Sequence, residues 1–124
     1  MNREILFRGK RVDNGAWVIG SLRYNKDDDI HIIYDMDGFP FEVIPETVGQ
    51  YTGLKDKNGA RIFEGDIIKA HGYHRDVGEW VRNFEVVYDD APGFGLRGTD
   101  GELYAFFKKI FIIGTIHDNQ ELLK

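Results

Sequence analysis

The sequence predicts an all-β protein, and three observations support this. Short apolar runs arrive about every ten residues, turn chemistry separates them, and no stretch carries the period of a helix of ordinary length. Small barrels and sandwiches have this rhythm. The chain has 124 residues, 42% hydrophobic and 14% aromatic. That suffices for one compact domain, or two small subdomains sharing a core, without disulfides or a structural metal.

In chain order, Ile5 to Lys10 begins as a strand and is expected to break at Gly9. Asp13-Asn14-Gly15 separates two apolar stretches, and Asn and Gly accept positive φ at low steric cost. A hairpin is therefore expected there, with Ala16 to Tyr24 as its second strand. Asn25 to Asp29 reads as a solvated loop. A second hairpin joins Ile30 to Tyr34 with Phe39 to Ile44 through Asp35-Met36-Asp37-Gly38, and Pro40 confines its strand to an edge or a start. His31 alternates with apolar neighbours and reads as an ordinary strand-face histidine. Pro45 can open a single helical turn. Lys55 to Gly59 is then a turn between Tyr51 to Leu54 and Arg61 to Phe63.

Ile62 to Ala70 is the densest barrel signal. Gly65-Asp66 enters a strand from a tight turn, and the short Asp side chain can accept from nearby backbone donors. Further strands are expected at Phe84 to Tyr88, from Phe94 onward and at Ile110 to His117, with turns at Asp89 to Gly93 and Thr99 to Glu102. Leu103 to Phe107 reads as a strand or one helical turn. Asp118 to Lys124 can form a short C-terminal helix capped by Asp118 or Asn119. The expected organisation is an N-terminal hairpin subdomain with a long turn-rich loop over residues 1–60 and a small barrel over residues 61–124, packed as one compact unit.

Composition excludes several function classes. Cysteine is absent, which removes disulfides, thiol nucleophiles, cysteine-ligated zinc and iron–sulfur clusters. No run approaches the roughly 20 apolar residues of a membrane span, and the charged N-terminus does not resemble a signal peptide. A cytoplasmic protein is the expectation. The formal net charge of −5 repels phosphate polymers and acidic membranes over long range. Nucleic-acid binding would need a local basic patch, for which Arg8, Lys10, Arg11, Lys108 and Lys109 are the candidates.

The stretch Pro45-Glu46-Thr47-Val48-Gly49-Gln50-Tyr51-Thr52-Gly53-Leu54-Lys55-Asp56-Lys57-Asn58-Gly59, followed by Ile62-Phe63-Glu64-Gly65-Asp66-Ile67-Ile68-Lys69, resembles the signature of the YopX family of phage and prophage proteins. Phe7-Arg8-Gly9-Lys10 with Trp17 resembles that family's beginning. Ile113-Gly114-Thr115-Ile116-His117-Asp118-Asn119 before Glu121-Leu122-Leu123 resembles its end. The resemblance implies an SH3-type β-barrel in the C-terminal half and an origin in a phage or mobile element; the N-terminal hairpins are expected to pack on that barrel because no linker or low-complexity tract separates the halves. It implies no catalytic residues, substrate or cofactor.

Chemistry-bearing patterns are sparse. Ser21 is the sole serine and lacks the strained Gly-x-Ser-x-Gly turn of a nucleophile. His71, His74 and Asp76 form the best metal-like cluster, although in a glycine-bearing loop they read as solvated polar residues. Gly93-Phe94-Gly95-Leu96-Arg97-Gly98 mimics a phosphate-cradling pattern but opens no helix. Tyr51, Phe63, Tyr73, Trp80, Phe94 and Tyr104 are candidate surface aromatics. Tyr51, Tyr73 and Trp80 are the expected interaction surface, with Trp80 exposed in a variable loop. Ile110 to Ile116 is apolar enough for a sandwich core or for an interface between subunits. The functional expectation is a non-enzymatic accessory protein without cofactor or metal that binds a protein partner or itself. A single-strand nucleic-acid binder is the alternative, and a metal-dependent enzyme a weaker third.

Overall fold

The computed structural model describes residues 5–89, 93–97 and 107–123. Their fold is all-β, with ten strands, two 3-10 turns and antiparallel pairing throughout the registers given below. The turn expected at Thr99 to Glu102, the segment Leu103 to Phe106, Asp90 to Pro92 and Tyr104 lie outside the described residues, as do the side chains of His74 and Phe94. The chain divides into two compact units, Met1–Gly53 and Leu54–Lys124.

The first unit holds β1 (Phe7–Lys10), β2 (Trp17–Asn25), β3 (Ile30–Asp35), β4 (Pro40–Val43) and most of β5 (Gly49–Lys55). They lie in the order β4-β3-β2-β1-β5. The expected break at Gly9 does not occur: β1 runs through it, with Gly9 opposite Val18. Pro40 opens β4, an edge strand, where its missing N–H costs no ladder bond. Period-2 alternation turns Val18, Ile33 and Val43 to one side, where they are buried with Phe7, Leu22, Phe41 and Val48 packed against them. Pro45 opens the expected single turn, a 3-10 turn over Pro45–Thr47. Thr47 Oγ1 accepts from Lys10 N–H at 2.9 Å and donates to Ile44 O at 2.6 Å, tying that turn to β1.

The second unit holds β6 (Arg61–Phe63), β7 (Asp66–His74), β8 (Gly78–Asp89), β9 (Gly93–Leu96) and β10 (Phe107–Thr115). Four of them form a sheet in the order β10-β7-β8-β9, which does not close into a barrel among the described residues. Ile62, Ile68, Ala70, Val86, Leu96 and Ile110 make its core, with Trp80, Phe84 and Ile112 packed on them. Asp66 acts as its sequence context predicts: its Oδ2 accepts from Phe63 N–H at 2.7 Å and holds the β6–β7 turn. The C-terminal helix is only a 3-10 turn, Gln120–Leu123.

Two hairpin turns share one construction. In Asp35-Met36-Asp37-Gly38-Phe39 and in Asp56-Lys57-Asn58-Gly59-Ala60, the first Asp Oδ1 accepts from the second and fourth residues beyond it, at 2.9 Å each. Glycine takes the left-handed position in both, with φ of 88° at Gly38 and 87° at Gly59. A side chain there would be strained, so Asp-x-Asx-Gly is a local code for this turn.

Candidate interaction face of the C-terminal sheet

The candidate site grows out of the alternation in β7 and β8. Their register places Tyr73 opposite Glu79, His71 opposite Val81 and Lys69 opposite Asn83, with Gly72 opposite Trp80 and Ile68 opposite Phe84 between them. Directly opposed residues share a face. Ile68, Ala70, Trp80 and Phe84 therefore belong to the core side, while Lys69, His71, Tyr73, Glu79, Val81 and Asn83 belong to the other. From β10, Lys109 and Phe111 join that second face, opposite His71 and Lys69.

This second face meets solvent. Tyr73 is 56% exposed and Val81 52%, large values for apolar side chains in adjacent strands. His71 and Phe111 are half-buried and meet edge to face, ring centroids 5.8 Å apart. Lys69 and Lys109 are exposed beside them. Toward the other end of the hairpin, Asn83 Nδ2 donates to Leu122 O at 2.9 Å, which docks the C-terminal 3-10 turn on β8. The face thus runs from that turn toward the β7–β8 turn.

The three aromatics expected at the surface separate here. Tyr73 lies on the exposed face. Tyr51 is 3% exposed and belongs to the buried residues of β5. Trp80 is half-buried on the core side and meets Phe84 edge to face at 6.5 Å. The segment from Gly78 to Asn83 is strand, not variable loop: it pairs residue by residue with β7, and Gly72 leaves room for the Trp80 ring. A Cβ at Gly72 would stand 2.0 Å from the Trp80 ring, so this glycine is the seat on which the indole lies. Phe63 is likewise buried.

The other candidates also find definite places. His71 and His74 both belong to β7, and Asp76 lies in the following turn. Among the described residues no group of three or more His, Asp or Glu side chains is arranged to hold a metal ion. Gly93 and Gly95 lie in β9, paired with Asp89 and Val87, in place of a phosphate-binding loop. Ser21 is exposed on β2, opposite Tyr34. The N-terminal cations are engaged with aromatic rings: Arg8 lies 4.5 Å and Lys10 5.5 Å from the Trp17 centroid, and Arg11 4.2 Å from that of Phe41. Arg11 also forks onto Asp13, Nε to Oδ1 at 2.9 Å and Nη2 to Oδ2 at 2.6 Å, which holds the Asp13 carboxyl below its ordinary range.

Lys69 is a face residue whose signal in the sequence is the continued alternation of Lys69-Ala70-His71-Gly72-Tyr73, in which small residues occupy the core side and large ones the other. Val81 joins the face only through its register with His71, and Phe111 belongs to the apolar run Ile110 to Ile116 expected as core or interface.

The YopX protein family model matches residues 6–124. The chain belongs to the YopX family. The crystal structure of protein EF1440 from Enterococcus faecalis is similar to this YopX-family chain, with a TM-score of 0.61 and 24% identity over 99% of this chain and 100% of that one. At that identity the likeness concerns the fold. No curated protein matches this family member. Among the described residues, no helix is long and apolar enough to cross a membrane.

Proposed function

We propose that this YopX-family chain is a non-enzymatic accessory module of a phage or integrated element that acts in the cytoplasm by binding another protein. The observation that carries the proposal is the exposure of Tyr73 and Val81, diagonal neighbours on adjacent strands, beside His71 and Phe111 on one sheet face. Tyrosine presents a large rigid surface with a polar tip, and such residues dominate interface energetics when a partner covers them. The SH3-type barrel that the family resemblance implies is part of this proposal, since small barrels of that kind hold peptides on aromatic-lined surfaces.

A second reading has its own observation. Lys69 and Lys109 are exposed on the same face as the rings, an arrangement in which bases stack and lysines meet phosphates. The acidic net charge disfavours it.

Capture from prophage-bearing cells separates the two. Wild-type protein is expected to retain its partner after nuclease treatment, and Tyr73→Ala or Val81→Asp to lose it while keeping the wild-type circular dichroism. A partner that disappears with nuclease moves the assignment to nucleic acid. Capture indifferent to both substitutions removes this face from the function.

A further inference from the structure

The face that carries Tyr73 holds two patches of different chemistry, and the strand registers fix the distance between them. Lys109 stands opposite His71 and Phe111 opposite Lys69. The two lysines therefore lie across one diagonal of a four-residue block, and His71 with Phe111, rings 5.8 Å apart, across the other. Both lysines are exposed, and among the described residues neither has an ion-pair partner. Diagonal neighbours on a sheet face stand about 7–8 Å apart, so two lysine stems can bring their ammonium groups to one carboxylate. The second patch is also a diagonal. Tyr73 stands opposite Glu79 and His71 opposite Val81, which makes exposed Tyr73 and Val81 neighbours across β7 and β8.

The two patches are centred two residues apart along β7, about 7 Å, and one strand spacing, about 4.8 Å, across it. In an extended chain, residues two apart point to the same side and stand about 7 Å from each other. We propose that this face takes an extended segment of the partner protein that crosses β7 obliquely. An apolar side chain of the segment covers Tyr73 and Val81, and a carboxylate two residues away sits between Lys69 and Lys109. The inference rests on the protein-binding reading and names the chemistry of its partner. That partner is acidic because the lysine patch has the opposite sign to a chain of net charge −5, so a carboxylate is drawn to this place and repelled by the rest. It is a peptide segment because two diagonal lysines match one carboxylate and not a succession of phosphates, and because Glu79 puts an acid at the Tyr73 end of the face. An exposed ion pair is weak and screened by salt, so Tyr73 and Val81 supply the affinity and the lysines the selectivity.

Terminally blocked peptides test this, read by amide shifts of the folded protein in a nuclear magnetic resonance titration. The probe is Glu-Thr-Leu-Thr-Glu, which places a carboxylate two residues from leucine in either direction of the chain. Thr-Glu-Leu-Glu-Thr has the same charge, with both acids turned away from the side that leucine faces. Wild type is expected to bind the first about threefold more tightly than the second or than Gln-Thr-Leu-Thr-Gln. Lys69→Glu with Lys109→Glu is expected to invert the preference toward Lys-Thr-Leu-Thr-Lys, and Tyr73→Ala to weaken every peptide. Should the reversed pair not fold, Lys69→Gln with Lys109→Gln is expected to erase the preference. Equal binding of the two acidic peptides overturns the proposal, and so does an absence of shifts with all of them. If Tyr73→Ala still weakens both acidic peptides when they bind equally, the protein-binding reading stands without it. Peptide binding indifferent to Tyr73→Ala removes the reading and the inference together. A thymidine oligonucleotide that binds more tightly than Glu-Thr-Leu-Thr-Glu, and is lost in Lys69→Glu with Lys109→Glu, also overturns the proposal by giving the lysines to phosphate.

Discussion

Tyr24 and Gly72 show how single residues in this chain answer to their neighbours. The Tyr24 hydroxyl donates to Asp29 Oδ1 at 2.6 Å, and that carboxylate holds the phenol above its ordinary value of 10.0. A raised value in the folded state stabilises the protein below the unfolded phenol's value, and this contribution is lost as pH rises through the folded one. Absorbance titration is expected to show one tyrosine ionising late, and Asp29→Asn to bring it back to the ordinary range. Gly72 answers to packing. With the Trp80 ring lying where a Cβ would stand, Gly72→Ala is expected to cost about 1–3 kcal/mol by overpacking, measured by urea denaturation. A midpoint equal to wild type would show that the indole moves aside at no cost.

At the scale of elements, the family signature is largely turn construction. Asp56, Asn58 and Gly59 build one turn, and Gly65 with Asp66 the next. Thr115 builds the closing one: its Oγ1 accepts from His117 N–H and Asp118 N–H and donates to Asp118 Oδ2, each at 3.2 Å. Thr115→Val keeps the shape and removes these bonds. It is expected to lower stability by about 1–2 kcal/mol with an unchanged denaturant slope. No change in the midpoint would place the closing turn outside the cooperative fold. Turns of this kind were legible in the sequence because each is made by residues within four positions of one another. The strand at Gly78 to Asn83 is not legible in the sequence, because Trp80 lies over Gly72 only once β7 and β8 are in register.

For the whole molecule, charge decides between partners. A chain of net charge −5 that binds protein through Tyr73 and Val81 is expected to keep its partner as salt rises. Binding through Lys69 and Lys109 to phosphates would weaken steeply, because each neutralised phosphate releases counterions. Capture measured from low to high salt reads this directly: steep loss sinks the protein-binding reading, and retention supports it.

By itself the sequence determined the all-β class, the hairpin turns, the family and the carboxylate cap at Asp66. All of these depend on local backbone geometry or on contiguous motifs. Only the tertiary structure decided that Tyr51 is buried, that Trp80 faces the core, that His71 shares a face with Phe111, and that Asp56 reaches Ile112. The physical reason is that strand alternation names two faces without saying which is covered. Contacts such as Asp56 with Ile112, 56 residues apart, exist only after the strands have found their neighbours.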